Sequence, residues 1–150
     1  MTPTGLAAEI WWFQAGDGEG RAGGDAGPSV KAADAFSLLR PEAAEALFYL
    51  DRATGDPRWR DAGWRVFQAI EAHARVPTGG YAAVEDVRAA NPGRVKLRDK
   101  MESFFLSETL KYLYLLFGGE GGGERSSTLL PLDDVVFNTE AHPFPVFEWP

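Results

Sequence analysis

The chain contains no cysteine, few basic residues and no long hydrophobic run. The absence of cysteine excludes disulfide frameworks, thiolate zinc sites and a cysteine nucleophile, although it does not fix the compartment. With 15 basic and 22 acidic residues the net charge is −7, so no large cationic face is available for nucleic acid or anionic lipid. The longest apolar stretch, Leu110–Phe117, is interrupted by Lys111 and is too short to span a bilayer. Met1–Leu6 lacks the basic and apolar regions of a signal peptide, so we expect no targeting segment.

Apolar and aromatic side chains, by contrast, are abundant. At 150 residues and 45% apolar, the chain can form one packed domain. Aromatic residues make up 13%, with five Trp and ten Phe, and so many rings need a large core or a ligand to cover them. The apolar block Ile10–Phe13 is followed by Gly16–Pro28, a Gly-rich stretch that predicts a loop and cannot bury it. This favours a fragment that packs on further chain.

Three helices are predicted. The first begins at Pro41, since proline suits the first helical position, and ends at Gly55. The second has Pro57 at its first position and runs to about residue 75, so the two helices form an antiparallel hairpin. The third runs from Asp99, which with the glutamate three residues later forms a capping-box-like pattern, to Phe117. This helix is apolar nearly all round, which predicts burial on several sides.

Short β-structure is predicted in the loops between the helices. The stretch 77–93 changes from Gly-Gly-Tyr to a Val-rich segment and ends in Asn-Pro-Gly, which predicts a short strand or hairpin with a turn. Val135–Phe137 predicts a further strand, which leads into Asn138–Pro143. The predicted fold class is therefore mainly all-α, with short strands or hairpins in the loops.

An internal repeat relates the first and third predicted helices. The motif Glu-x-Leu-x-Tyr-Leu occurs at residues 45–50 and again at 108–113, 63 residues later. One other helix lies between the two copies. Alternate helices that resemble each other are typical of a toroid of helical hairpins with an inner and an outer ring. Two inner helices and one outer helix cannot close a ring, so the pattern requires more chain.

Three carboxylates are candidate functional groups. Glu42 lies in the first turn of a predicted helix beside Arg40; both the helix N-terminus and the guanidinium favour a carboxylate, which suits a general base. Complementing the helix dipole is the alternative role for Glu42. Glu45 and Glu108 occupy equivalent places in otherwise apolar helices, where carboxylates are rare unless they are paired or functional. An ion pair with a neighbouring helix is the alternative for both.

Two further groups have chemistry that suits a ligand. Phe104 could stack on a sugar ring, although a core phenylalanine is the commoner case. Thr139 and Glu140, after a predicted strand, offer a hydroxyl, a backbone carbonyl and a carboxylate, hard oxygen donors that suit calcium rather than zinc. A turn capped by the threonine hydroxyl is the alternative. His142 has no serine or cysteine motif nearby, and we expect it to be structural.

Three segments of the chain resemble a known family. They are Leu38–Glu42 (LLRPE), Asp99–Leu113 (DKMESFFLSETLKYL) and Val136–Pro143 (VFNTEAHP). They are similar, in the same order, to motifs of the class I α-1,2-mannosidases, glycoside hydrolase family 47. Gly5–Ile10 looks like the segment just upstream in that family, so the resemblance covers essentially the whole chain.

The resemblance implies a fold, an activity and a cofactor. The fold is an (αα)7 barrel of inner and outer helical hairpins, and the activity is inverting hydrolysis of α-1,2-linked mannose from high-mannose N-glycans. Glu42 would be the base that activates water. Thr139 would be the only direct protein ligand of one bound calcium ion (Ca2+), through its hydroxyl and carbonyl oxygens. The substrate-binding residues that the family implies are Arg40, Glu45, Phe104, Glu108 and Glu140.

The chain also departs from the family pattern. The family's upstream helices carry the catalytic acid and a further catalytic aspartate, and nothing in residues 1–40 replaces them. We therefore expect residues 1–150 to be the C-terminal part of a single barrel domain, inactive alone, with the missing N-terminal part as its partner. The family setting implies the lumen of the endoplasmic reticulum or Golgi, with any membrane anchor outside this chain.

Two alternatives to an enzyme stay open. One is a mannosidase-like glycan-recognition factor that selects misfolded glycoproteins for degradation. The other is a helical-hairpin interaction domain without enzymatic activity, which would bind no calcium.

Overall fold

The computed structural model describes residues 2–13, 28–89, 91, 95–118 and 130–147. This part of the chain is mainly helical with a small two-stranded sheet, as predicted. None of its helices is both long and apolar enough to cross a membrane. In chain order the elements are a 3₁₀ turn Ala32–Asp34, α1 Glu42–Thr54, α2 Arg58–His73, a π-helical turn Phe105–Leu110, α3 Lys111–Phe117, β1 Val135–Phe137 and β2 Pro143–Pro145.

The predicted hairpin of the first two helices is confirmed. Proline immediately precedes each helix, at Pro41 and Pro57, with helical backbone angles. α1 is followed by Gly55, whose φ of 66° lies in the left-handed region that glycine adopts without strain. The Gly55 amide donates back to the last turn of α1 at 2.8 Å. At the start of α2, the amide of Arg58 donates to the side chain of Asp56 at 3.0 Å.

The third helix begins later than the sequence pattern predicts. Asp99, the expected cap, lies outside the helix, and helical backbone begins at Ser103. The preceding chain instead pairs with a distant segment. The amide of Arg98 donates to the carbonyl of Ala83, and the amide of Ala83 donates to the carbonyl of Lys100, both at 2.8 Å. The capping-box prediction is wrong, because this tertiary pairing overrides a local helix signal.

The first part of that helix is a π-helical turn, Phe105–Leu110, which the sequence pattern does not predict. π-helical turns are rare and occur frequently at functional sites. α3 follows directly and contacts both α1 and α2. Most apolar side chains of the π-helical turn and α3 are buried, but Leu106 of the turn and Tyr114 of α3 are 56% and 66% exposed. Burial on all sides is therefore incomplete in the part of the chain that the structure describes.

The β-structure is only partly as predicted. Within 77–93 the described residues form isolated bridges rather than a regular strand, and Val84 bridges to both Ser37 and Leu97. Residues 92 and 93 of the predicted turn lie outside the described residues. The strand Val135–Phe137 is confirmed as β1. It pairs antiparallel with β2, and Val136 lies opposite Phe144.

An aromatic cluster holds the β1–β2 hairpin against the helices. Phe48 of α1 and Tyr112 of α3 are almost completely buried, and their ring centroids are 5.7 Å apart. Phe137 of β1 lies 6.0 Å from the Phe48 ring and 5.9 Å from the Tyr112 ring. Each such pair contributes about 0.5–1.5 kcal/mol beyond the burial of apolar area. The loop that follows β1 is thereby placed next to the starts of α1 and α3.

A side chain at Gly63 of α2 should destabilise the protein. It is buried, and a Cβ atom there would overlap the buried side chain of Leu116 in α3. Gly63→Ala should lower the free energy of unfolding by about 1–3 kcal/mol, since overpacking outweighs the gain in helix propensity. Urea unfolding of the full-length protein measures this. Gln68→Ala, on the exposed face of the same helix, is the control, and an unchanged Gly63→Ala variant would contradict the packing of α2 on α3.

Candidate functional site

Arg40 and Glu42 follow a sharp bend in front of α1. Leu39 is buried and has a φ of 61°, a left-handed conformation that is uncommon for a residue with a side chain. The carboxylate of Glu9 holds this bend, because it accepts hydrogen bonds from the backbone amide of Leu38 at 2.9 Å and from the guanidinium Nε of Arg40 at 2.5 Å. Arg40 and Glu42 are both exposed at the N-terminal end of α1. Sequence reasoning missed Glu9, whose only signal was its place in the upstream segment that resembles the family.

Phe104 lies beside Arg40. The guanidinium carbon is 5.5 Å from the centroid of the ring, within the range of a cation–π contact. The hydrogen bond with Glu9, and then smaller contributions that include the charge of Glu42, raise the pKa of Arg40. The next ring, Phe105, is instead fully buried in the core. Of these two adjacent phenylalanines, Phe104 therefore lies at the candidate site and Phe105 lies in the core.

Three other carboxylates act on Glu108. Burial, followed by the negative charges of Glu140, Glu42 and Glu45, raises the pKa of the Glu108 carboxyl above its usual range, and Lys111 opposes this shift. Two of these acids come from the first turn of α1, one from the π-helical turn and one from the loop after β1. Acids from distant segments of the chain therefore lie close enough to Glu108 to influence its pKa.

Glu45 lies against a tyrosine hydroxyl. Tyr112 donates a hydrogen bond to Oε1 of Glu45 at 3.3 Å. Burial, and then the charge of Glu45, raise the pKa of both Tyr112 and its neighbour Tyr49. Because both phenols stay protonated at neutral pH, Tyr112 remains a donor that orients the carboxylate. The repeated motif contained this tyrosine, but only the structure shows its partner.

The loop between β1 and β2 carries Thr139 and Glu140, both exposed. Asn138 closes this loop, since its side-chain oxygen accepts the amide hydrogens of Glu140 at 3.0 Å and His142 at 2.9 Å. Between those two residues, Ala141 is buried and has a φ of 58°. The loop is thus a defined turn that presents a hydroxyl, a carbonyl and a carboxylate.

The donor set at this loop fits a hard cation. In the described part of the chain, no three acidic or histidine side chains are grouped so as to hold a metal ion. Thr139 offers uncharged oxygen donors, and the neighbouring Glu140 belongs to the group of acids around Glu108. Oxygen donors in a negative field suit calcium, whereas zinc prefers nitrogen and sulfur ligands. The residues present therefore fit the calcium ion that the sequence predicts.

A hollow of about 440 Å³ lies beside the bend in front of α1. Arg40, Glu42, Glu9 and Thr109 are among the residues that line it. Its volume falls within the range of small-molecule sites, about 300–1,000 Å³. The predicted base and the predicted substrate-binding arginine thus share one concave surface.

Glu108 should make the stability of the protein depend on pH. Because its pKa is raised in the folded state, its stabilising contribution is fully present below the ordinary glutamate pKa of about 4.3 and is lost as the pH rises through the raised value. Glu108→Gln should flatten this loss, as measured by urea unfolding of the full-length protein at several pH values without calcium. Asp61→Asn on α2 should leave the profile unchanged. A Glu108→Gln profile that matches the wild type would show that the acids do not interact.

Comparison with known proteins gives a family for these residues. The model of glycosyl hydrolase family 47 matches residues 1–146. Mannosyl-oligosaccharide 1,2-alpha-mannosidase MNS3 of Arabidopsis thaliana is 47% identical over 154 residues, which cover 97% of this chain and 23% of that protein. The endoplasmic reticulum mannosyl-oligosaccharide 1,2-alpha-mannosidase of Homo sapiens is 48% identical over 144 residues, 96% of this chain and 19% of that protein.

A solved structure is similar as well. The alpha-1,2-mannosidase from Trichoderma reesei superposes with a TM-score of 0.75 at 35% identity, over 97% of this chain and 30% of that one. This chain therefore spans less than a third of the length of these relatives. The family resemblance of the three sequence motifs is confirmed. The chain belongs to glycosyl hydrolase family 47.

Proposed function

We propose that this chain is the C-terminal part of an inverting, calcium-dependent mannosyl-oligosaccharide α-1,2-mannosidase that acts on N-glycans. The names of the relatives support the reaction class. The observation that carries the proposal is a group of four carboxylates from three segments, which consists of Glu108 and the three acids whose charges raise its pKa. Glycosidases depend on such carboxylates, because a general acid and a general base must flank the bond that is cleaved.

Glu42 is the proposed general base. In an inverting glycosidase, an acid protonates the leaving oxygen while a base activates water on the opposite face of the sugar, and the two stand about 6.5–9.5 Å apart. Glu42 is exposed in the first turn of α1, where the positive end of the helix and Arg40 both stabilise a carboxylate. The resemblance assigns the acid to upstream chain, so residues 1–150 supply one side of the reaction.

The other residues of the site would hold the sugar. Arg40 would donate hydrogen bonds to hydroxyl groups, and the ring of Phe104 beside it would pack on the apolar face of the sugar. The proposed acceptors of sugar hydroxyls and ordered waters are Glu45, Glu108 and Glu140. Tyr112 keeps the first of these acids oriented through its hydrogen bond at 3.3 Å.

Thr139 is the proposed protein ligand of calcium. Its hydroxyl and carbonyl oxygens would bind the ion, with water and substrate hydroxyls as the remaining ligands. The loop that Asn138 closes presents Thr139 beside the negative charge of Glu140. When bound, the calcium ion would hold sugar hydroxyls and favour the distorted ring that precedes the transition state.

We further propose that the chain is one sector of an (αα)7 barrel, within a single domain. α1 and α3 would belong to the inner ring and α2 to the outer ring. An open apolar groove of about 410 Å³ lies along α2 and α3, and it is lined in part by Trp64, Phe67 and Phe117. Since Trp64 is half exposed there, the groove suits the next helices of the ring, which the missing N-terminal part would supply.

The proposed location is the lumen of the secretory pathway, in the endoplasmic reticulum or Golgi. The names of several relatives place those proteins in the endoplasmic reticulum. A membrane anchor, if the protein has one, would lie outside the residues described.

Mannose release tests the proposed function. The full-length protein that contains this chain should release β-mannose first from a high-mannose N-glycan with calcium, as inversion requires. Residues 1–150 alone should release none, because the acid and most of the ring are missing. Glu42→Gln should lower kcat about 10²- to 10⁴-fold, the usual contribution of a general base. NMR that resolves the two anomers of the released mannose, followed over time, measures both the anomer formed and the rate of release for each of the three proteins.

The control is Glu85→Gln, a surface acid paired with Lys96 at 3.2 Å, which should leave kcat unchanged. Turnover by residues 1–150 alone would contradict the incomplete ring. A full-length protein that binds the glycan without releasing mannose would instead be a recognition factor, and one that binds neither glycan nor calcium would be an interaction domain.

Thr139→Ala should weaken calcium binding at least about tenfold, because it removes the hydroxyl ligand. Calorimetric titration of the full-length protein with calcium measures the affinity. Thr139→Ser retains the hydroxyl and should bind nearly as tightly as the wild type. Equal affinity in the wild type and Thr139→Ala would place the ion elsewhere.

A further inference from the structure

Two buried residues with left-handed backbone adjoin the candidate site. Leu39, with a φ of 61°, immediately precedes Arg40, and Ala141, with a φ of 58°, immediately follows Glu140. Leu130 is the remaining non-glycine residue with positive φ in the part of the chain that the structure describes. Such conformations are unfavourable for residues with a Cβ and persist only where the surroundings hold them.

In both cases the same kind of contact holds the strained residue. Thr109 Oγ1 donates a hydrogen bond to the carbonyl of Leu39 at 2.7 Å, and Lys111 Nζ donates one to the carbonyl of Ala141 at 2.8 Å. The exposed fractions of Thr109, Leu39 and Ala141 are 1%, 5% and 0%. The Thr109–Leu39 hydrogen bond is buried and the Lys111–Ala141 hydrogen bond is part-buried, so the loss of either donor leaves a carbonyl of a strained residue with few alternative partners.

The two donors lie two residues apart, where the π-helical turn ends and α3 begins. Side chains two positions apart on a helix point in different directions. Thr109 can therefore reach the segment of Leu39 while Lys111 reaches the segment of Ala141. That same turn carries Glu108, next in sequence to Thr109. Lys111 also acts on Glu108, since its positive charge opposes the raised pKa of that acid.

We propose that Thr109 and Lys111 are positioning residues that fasten the segments of Arg40–Glu42 and Thr139–Glu140 to the helix that carries Glu108. The separation between the proposed base and the proposed calcium ligand is then set by this one helix. The role of the two fastened segments in sugar hydrolysis rests on the proposed function, whereas the two hydrogen bonds do not. Neither residue needs to touch the substrate.

Local amide exchange tests the proposal without reference to activity. In the full-length protein, Thr109→Val should speed hydrogen–deuterium exchange about 2- to 10-fold at the amides of 38–40, the effect of losing one hydrogen bond, and leave 140–142 unchanged. Lys111→Met should speed exchange by a similar factor at the amides of 140–142 and leave the amides of 38–40 unchanged. The amides of Leu38 and His142 are good reporters, since each donates to a side-chain oxygen, that of Glu9 for Leu38 and that of Asn138 for His142, and not to either substituted residue. Thr109→Ser and Lys111→Arg keep the donors and should restore slow exchange.

Kinetics distinguish positioning from support of the fold. Thr109→Val and Lys111→Met should each lower kcat at least about tenfold with a smaller change in KM, because misplaced groups mainly lose transition-state contacts, and the donor-retaining variants should recover most of it. Unchanged exchange, or equally faster exchange throughout the protein, would overturn the proposal. Suppose that each substitution speeds exchange only in its own segment, but the wild-type protein releases no mannose. The positioning role then stands and the proposed function fails.

Discussion

Repulsion among carboxylates is the constraint that this structure has to satisfy. Glu108 lies partly buried within the field of three other acids, and its raised pKa records first the cost of burying the carboxylate and then the cost of placing it near those charges. Two cations limit this cost: Lys111 acts on Glu108, and Arg40 is influenced by Glu42. A cluster that is costly to assemble persists only where packing elsewhere is stronger, and such clusters are typical of functional sites.

The packing that offsets this repulsion is aromatic. Phe48, Tyr112 and Phe137 come from α1, α3 and β1, and they meet in one cluster in which the ring centroids are about 6 Å apart. Each ring belongs to an element that carries, directly follows or leads into a segment with one of the four acids. The apolar contacts and the acids therefore lie on the same three segments, and burial of the rings brings the acids together.

The described residues form only part of the surface that the proposed reaction needs. They supply a carboxylate for the base, a loop with hard oxygen donors and a concave surface beside Arg40. The relatives are more than three times as long as this chain, and the apolar groove along α2 and α3 lies open. Inversion requires an acid and a base on opposite faces of the sugar, so further chain has to face this surface for the reaction to proceed.

The helical hairpin, the strand β1 and the family could be predicted from the sequence, and the roles of the candidate site residues stay predictions. Proline before each helix and Gly55 after α1 are signals that act within a few residues, and the motifs around Arg40, Glu108 and Thr139 are long enough to be specific. The cap predicted at Asp99 was wrong because Arg98 and Lys100 pair with Ala83, a contact between distant segments.

The sequence by itself thus determined the elements whose signals are local and the kinds of group available for chemistry. Only the tertiary structure decided that Glu9 holds Arg40, that a π-helical turn carries Glu108, and that Leu39 and Ala141 take left-handed backbone. The physical reason is that each of these features depends on a hydrogen bond or a packing contact between segments far apart in the chain, and no local pattern of residues encodes such a partner.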